Sequence, residues 1–261
     1  MTSKSRAADL LHAAAEDGTL SAAATAALSI PDLGAEIQAG LGIHVDDIDS
    51  SEVVLVTLMP DDSGSIRFAN NAAAVREGHN LVLDALVGSP QSASVLVHTR
   101  YLNGFVLYPY CPLGQAVRMD ARNYDPQLGT PLYDQTVVLL GTVLAKAQEL
   151  ADAGVAVRTV TLLITDGADA RSVRSKARDV RAIVQDMQRA ESHVVAAMGI
   201  EDGSTDFRQV FREMGIEDRW ILTRGNSPAE IRKAFQLFSQ SAVRMSQSAG
   251  LLPSMLGGFG A

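Results

Sequence analysis

Val53-Val54-Leu55-Val56-Thr57-Leu58-Met59-Pro60-Asp61-Asp62-Ser63-Gly64-Ser65 is an apolar run that ends in a cluster of short, oxygen-bearing side chains. The run lacks the polar alternation of a half-exposed strand, so it reads as a central strand buried on both faces of a parallel sheet. Pro60 ends it, and Asp61 to Ser65 follow as the loop at its carboxyl end. Beyond this point short β-rich runs alternate with longer helical stretches, the pattern of a sheet covered on both faces by helices.

A helix is expected over residues 68–87, closed by Gly88, Ser89 and Pro90. Residues 94–101 and 105–110 read as a strand pair joined through Asn103-Gly104, a dipeptide suited to the positive φ of a tight hairpin. Pro109 and Pro112 place this antiparallel pair at the sheet edge, because proline donates no ladder hydrogen bond. A loop over 111–129 leads to a helix over 132–153, a strand over 158–164 and a helix over 171–190. A strand over 193–199, a helix over 206–214 and a strand over 220–223 follow. Ser227-Pro228-Ala229-Glu230 is a capping box with proline at the first helical position, opening a helix to about residue 248. The fold class is therefore α/β: a doubly wound, mostly parallel six-stranded sheet with one antiparallel edge strand.

The flanks differ in kind. Residues 1–50 are rich in Ala, Ser and Thr with no strand pattern, and Leu10-Leu11, Leu20 to Leu28 and Leu33 to Leu41 mark short helices. Their small side chains bury too little area to fold alone, so this N-terminal extension is expected to dock or to be partly disordered. The main domain spans 51–249. Residues 250–261 form a Gly-rich apolar tail with Leu251, Leu252, Met255, Leu256 and Phe259, and self-assembly through either flank is a further expectation.

Composition narrows the classes of function. A net charge of −8 over 261 residues opposes nucleic-acid binding, which needs a basic surface. The lone Cys111 forms no internal disulfide, no apolar run reaches the length of a membrane span, and the N-terminus has no secretory pattern; the expected location is the cytoplasm.

Three loops converge in this topology. If the chain builds the sheet outward from the first strand and then returns to add the 158–164 strand on its other side, Asp61 and Asp166 follow neighbouring strands at one edge, the switch point of a doubly wound sheet. Asp carboxylates and Ser or Thr hydroxyls offer oxygen only, favouring Mg²⁺, with Mn²⁺ or Ca²⁺ as alternatives, over zinc. The five histidines are scattered without ligand spacing.

Asp61-Asp62-Ser63-Gly64-Ser65 is similar to the Asp-x-Ser-x-Ser motif of von Willebrand factor A (vWA) domains, and Thr165-Asp166-Gly167 after an apolar strand resembles their third motif. Between them Leu128-Gly129-Thr130-Pro131-Leu132-Tyr133 resembles the family's threonine loop. The likeness covers about residues 51–248. It implies a metal-ion-dependent adhesion site (MIDAS): Ser63 and Ser65 as direct ligands, Thr130 direct or through water, and Asp61 and Asp166 holding coordinating waters. The remaining position would accept a partner protein's Asp or Glu. Intracellular relatives imply an adaptor or assembly role beside an AAA+ ATPase or a stress-system component. Two departures are visible: Pro60 directly before Asp61, and one glycine in the threonine loop where many relatives have two.

Other readings compete. A metal-dependent phosphotransfer enzyme could use the same crevice, although Ser63 stands where the aspartyl-phosphate pattern places a second Asp. A structural subunit with a vestigial metal site is the other alternative. No dinucleotide fingerprint follows the first strand. Thr130 also suits a helix cap ahead of Pro131, Thr136 lies inside the helix, and Asp169 suits a cap of the helix after it. Arg171, Arg174, Arg178 and Arg181 fall at helical spacing and read as one solvated or partner-docking strip. Nothing near Cys111 in sequence supplies a base for catalysis.

Overall fold

Every residue of the opening apolar run is buried, from Val53 through Pro60. The structure, a computed structural model, describes residues 6–247 and 258–260. Its elements are α1 (Arg6–Glu16), α2 (Ala22–Leu28), α3 (Leu33–Gln38), β1 (Glu52–Pro60), α4 (Gly64–Phe68), α5 (Ala72–Val87), β2 (Val95–Arg100), β3 (Val106–Pro112), α6 (Leu132–Asp152), β4 (Ala156–Thr165), α7 (Ala177–Arg189), β5 (His193–Ile200), α8 (Phe207–Glu213), β6 (Ile221–Arg224) and α9 (Pro228–Gln247). The strands form one six-stranded sheet in the order β3-β2-β1-β4-β5-β6. All neighbours are parallel except β2 and β3. The sheet thus reverses its direction of growth at β1, and β1 pairs with β4 from Glu52 opposite Ala156 to Pro60 opposite Ile164. That register brings Asp61 and Asp166 out at the same edge. α6 packs on α7, and α5 on α9, while both α6 and α9 reach β1 and β4.

Gly104 has φ +92° in the β2–β3 turn, where Tyr101 donates its N–H to Phe105 O. The outer side of β3 is covered in turn by the N-terminal segment. Ile43 donates its N–H to Tyr110 O, and Tyr110 N–H donates to Gly40 O. Gly42 (φ +61°) makes this approach feasible, since a Cβ there would stand 2.0 Å from Tyr110 O. An edge strand otherwise presents unpaired backbone groups, and here the chain supplies its own cover. The three N-terminal helices lie on α6 and α7, burying Leu11, Leu28, Leu33 and Ile37 into the same core as the sheet. Burial of Leu33 and Ile37 stabilises this packing by roughly 2–3 kcal/mol each.

Two expected helices need correction. The stretch 68–87 is two helices with an earlier start, α4 and α5, because Asn70 takes the left-handed conformation (φ +60°) and breaks the axis between them. The 171–190 helix begins only at Ala177. Residues 173–175 donate their N–H groups to the Asp134 carboxylate of α6, a long-range acceptor that fixes this stretch as a loop. Arg171 and Arg174 therefore leave the supposed strip, and Arg178 and Arg181 alone remain on α7. Of the apolar tail only 258–260 are described, with Phe259 edge-on to Trp220 at 5.5 Å; the remainder of the tail reading lies outside the described residues. No helix among the described residues is long and apolar enough to cross a membrane.

Candidate metal centre

Asp61 leaves β1 still bound to β4, its N–H donating to Ile164 O at 2.9 Å. Its carboxylate folds back on its own loop: Oδ1 accepts from Ser63 N (2.8 Å) and Oδ2 from Thr165 Oγ1 (2.6 Å). An Asp two residues before a backbone N–H closes such a turn locally, which shapes the loop so that Ser63 and Ser65 face the same way. Their hydroxyl oxygens are 2.9 Å apart. Both donate to Asp166 Oδ1, Ser65 at 2.6 Å and Ser63 at 3.4 Å. Thr130, buried, stands beside the third loop: a Cβ added to Gly167 would lie 3.9 Å from Thr130 Oγ1. Its carbonyl accepts from Ala170 N and Arg171 N, fastening the 130 loop to the 166 loop.

The structure thus brings Asp61, Ser63, Ser65 and Asp166 into one hydrogen-bonded cluster, with Thr130 adjoining it across Gly167. Thr136 takes no part, because its hydroxyl donates to Leu132 O within α6. Asp169 caps a different helix from the expected one. Its Oδ1 accepts from Tyr133 N, at the start of α6, and from Ser172 Oγ. Cys111 is buried on β3, and burial pushes its thiol up to about 11, which keeps it protonated and unreactive.

Several supports were not legible in sequence. Asp62 Oδ1 accepts from Asn103 N (3.0 Å) and Nδ2 (2.8 Å), and the same Nδ2 donates to Gly129 O at 2.7 Å. One asparagine therefore ties the first loop, the β2–β3 turn and the threonine loop together. Ser63 bridges Leu128 in parallel fashion, with Gly64 N donating to Leu128 O at 2.9 Å. Tyr124 is fully buried and donates its hydroxyl to Asp61 O. Only Thr165, adjacent to Asp166 in the third motif, carried a local signal.

The electrostatics are one-sided. Burial pushes the Asp61 carboxyl up to about 6 against the hydrogen bonds from Thr165 and Ser63, and the Asp166 carboxylate adds to the rise. Burial also raises Asp166, opposed by Ser65 and Ser63 and reinforced by the Asp202 carboxylate. The charges acting on this pair are acids, and neither carboxylate has an ion pair among the described residues. Such a cluster calls for a cation.

Among the described residues no group of three or more His, Cys, Asp or Glu side chains could hold a metal ion. A cation here would depend on hydroxyls as well as acids, which suits a hard ion. In this structure the two serine oxygens, 2.9 Å apart, are hydrogen-bonded to each other.

No family model matches the sequence, and no curated protein matches it. Solved structures do resemble the fold. The pilus adhesin SpaC of Lactobacillus rhamnosus GG, in its open conformation, superposes with a TM-score of 0.53 at 16% identity, over 74% of this chain and 30% of SpaC. Proximal thread matrix protein 1 of the mussel byssus, in a form with a zinc-occupied MIDAS motif, gives 0.51 at 15% identity, over 75% of this chain and 47% of that one. The chain thus spans less than half the length of either. With its strand order and single antiparallel edge strand, the fold is that of a von Willebrand factor A domain.

Proposed function

We propose that the protein is a divalent-cation-dependent protein-binding module, its ion held by Ser63, Ser65 and Thr130 and water-bridged to Asp61 and Asp166. The observation that carries this reading is the convergence of two serine hydroxyls, 2.9 Å apart, on Asp166, beside a buried Asp61, at the switch point of the sheet. Keeping the acids behind waters leaves the ion electrophilic enough to take a further anion, and a partner's Asp or Glu is the anion we assign. The all-oxygen donor set supports a hard divalent ion, with Mg²⁺ the ion we assign. A binding role is favoured over phosphotransfer because Asp61, which would have to be the nucleophile, is fully buried with both oxygens engaged. The single buried thiol supports a cytoplasmic setting.

The test is a pull-down in Mg²⁺ and in chelator, with AAA+ ATPases and stress-system proteins as candidate partners. Recovery should require Mg²⁺ and the wild-type site, and should be lost with Ser63→Ala plus Asp166→Ala. Partners recovered equally from chelator and from the double variant would refute the reading.

A further inference from the structure

Large apolar side chains in the open are few in this molecule, and their placement is uneven. Among the described residues Phe68 and Val173 are each 90% exposed, Phe105 and Leu128 each 59%, Val87 57% and Val117 44%. Four of these six flank the candidate metal centre: Phe68 ends α4 directly after the first loop, Phe105 lies on the β2–β3 turn, Leu128 on the threonine loop and Val173 on the stretch after the third loop, whereas Val87 ends α5 and Val117 follows β3. The Phe68 ring turns back over the first loop, its Cε2 lying 3.6 Å from where a Cβ on Gly64 would be. Leu128 belongs to the strand bridge with Ser63, two residues before Thr130. Phe105 follows the Asn103 knot and stacks on Tyr101 at 5.6 Å. Val173 sits on the loop pinned to Asp134 at the start of α6. None of these side chains is needed to shape the site, since the backbone or a neighbouring side chain makes every contact that does.

One cation completes the pattern. Arg171 lies across Gly129, with its Cγ 2.6 Å and its Nε 3.2 Å from where a Cβ on that glycine would be. It is exposed, and its guanidinium makes no ion pair among the described residues. An acidic centre that needs a cation, a free guanidinium beside it and an apolar rim define complementary chemistry. Charge at the middle selects an anion, and water-exposed apolar surface around it selects greasy neighbours.

Resting on the metal-centre reading above, we infer that Phe68, Phe105, Leu128 and Val173 form a docking rim whose occupant is a partner-protein segment with one Asp or Glu flanked by large apolar side chains. The carboxylate faces the ion and Arg171, and the flanking side chains cover the rim. A polar acidic tail fails to bury this surface and binds weakly.

The experiment uses the full chain and two synthetic peptides, one with a central aspartate flanked by leucines, the other identical with serines replacing the leucines. Binding is followed by calorimetry in Mg²⁺ and in EDTA. The leucine peptide should bind at least about tenfold more tightly than the serine peptide in Mg²⁺. Phe68→Ser plus Leu128→Ser, both exposed positions, should erase that preference while leaving Mg²⁺ affinity and the melting temperature unchanged. Equal affinities for the two peptides, or no binding of either, overturn the rim. A leucine preference that persists unchanged in EDTA keeps the rim and overturns the metal reading instead.

Discussion

Two acidic networks lie a few residues apart at the carboxyl end of the sheet, and they are built on opposite principles. In the first, Asp61 and Asp166 share a buried pocket with hydroxyls and no cation, and burial raises both carboxyls. In the second, Asp134 accepts from the N–H groups of Val173, Arg174 and Ser175, while Arg174 pairs with Glu36 of α3 at 2.6 Å. The second network is balanced and fastens the N-terminal helices and the 171–175 loop to α6. The first has surplus negative charge that the fold itself does not neutralise. Three backbone N–H groups make Asp134 a structural tie, whereas Asp61 and Asp166 together hold one backbone N–H and otherwise hydroxyls, the imbalance on which the proposed cation site rests.

That contrast can be broken in several ways. The largest expected effect is acid sensitivity on the structural side. Burial lowers His98, beneath Gly40 of the N-terminal segment, to about 3, and lowers His79 and His193 to about 4. Each is neutral when folded, while its unfolded form titrates near 6.5. The unfolded chain therefore binds more protons between these values, so stability is complete above pH 6.5 and falls as pH drops towards 4, on the order of 3 kcal/mol per histidine. Urea titrations at pH 7.5, 6 and 5 should show a falling midpoint, and His98→Gln should shrink the fall. Next, Asp134→Ala strands the N–H groups of 173–175 and should destabilise by about 3 kcal/mol, read from the same titrations. On the other side of the comparison, Ser63→Ala plus Asp166→Ala should leave the apo protein within about 0.5 kcal/mol of wild type or slightly more stable. The same pair should weaken Mn²⁺ affinity by about 100-fold in calorimetry. Comparable stability losses for Asp134→Ala and this pair would erase the distinction. A smaller stability loss than that of Asp134→Ala is expected for Glu36→Ala, a partly exposed ion pair whose removal should cost about 1 kcal/mol.

Legibility in the sequence followed the range of the interactions. β1, the Asp61–Ser65 loop and Asp166 after β4 were readable because an apolar run and short oxygen side chains are local signals. The strand order was readable too, since the Asn103-Gly104 hairpin and the parallel runs leave few ways to wind the sheet. The start of α7 was not readable. Residues 171–175 have helical spacing of charges, yet Asp134, about 40 residues earlier, captures the N–H groups of 173–175. Asp169 was assigned to the wrong helix for the same reason, its acceptor serving Tyr133 from across the fold. The Asn103 knot and the Tyr124 hydroxyl on Asp61 O depend on loops meeting in space, and no spacing within either loop announces them.

We propose that serine hydroxyls and acids from separate loops enclose one hard ion. Anomalous diffraction from crystals grown in Mn²⁺ tests it most directly. A single strong peak is expected within bonding distance of Ser63 Oγ and Ser65 Oγ, on the side facing Asp166. A peak elsewhere on the molecule with this cluster empty, or no peak at saturating Mn²⁺, would contradict it.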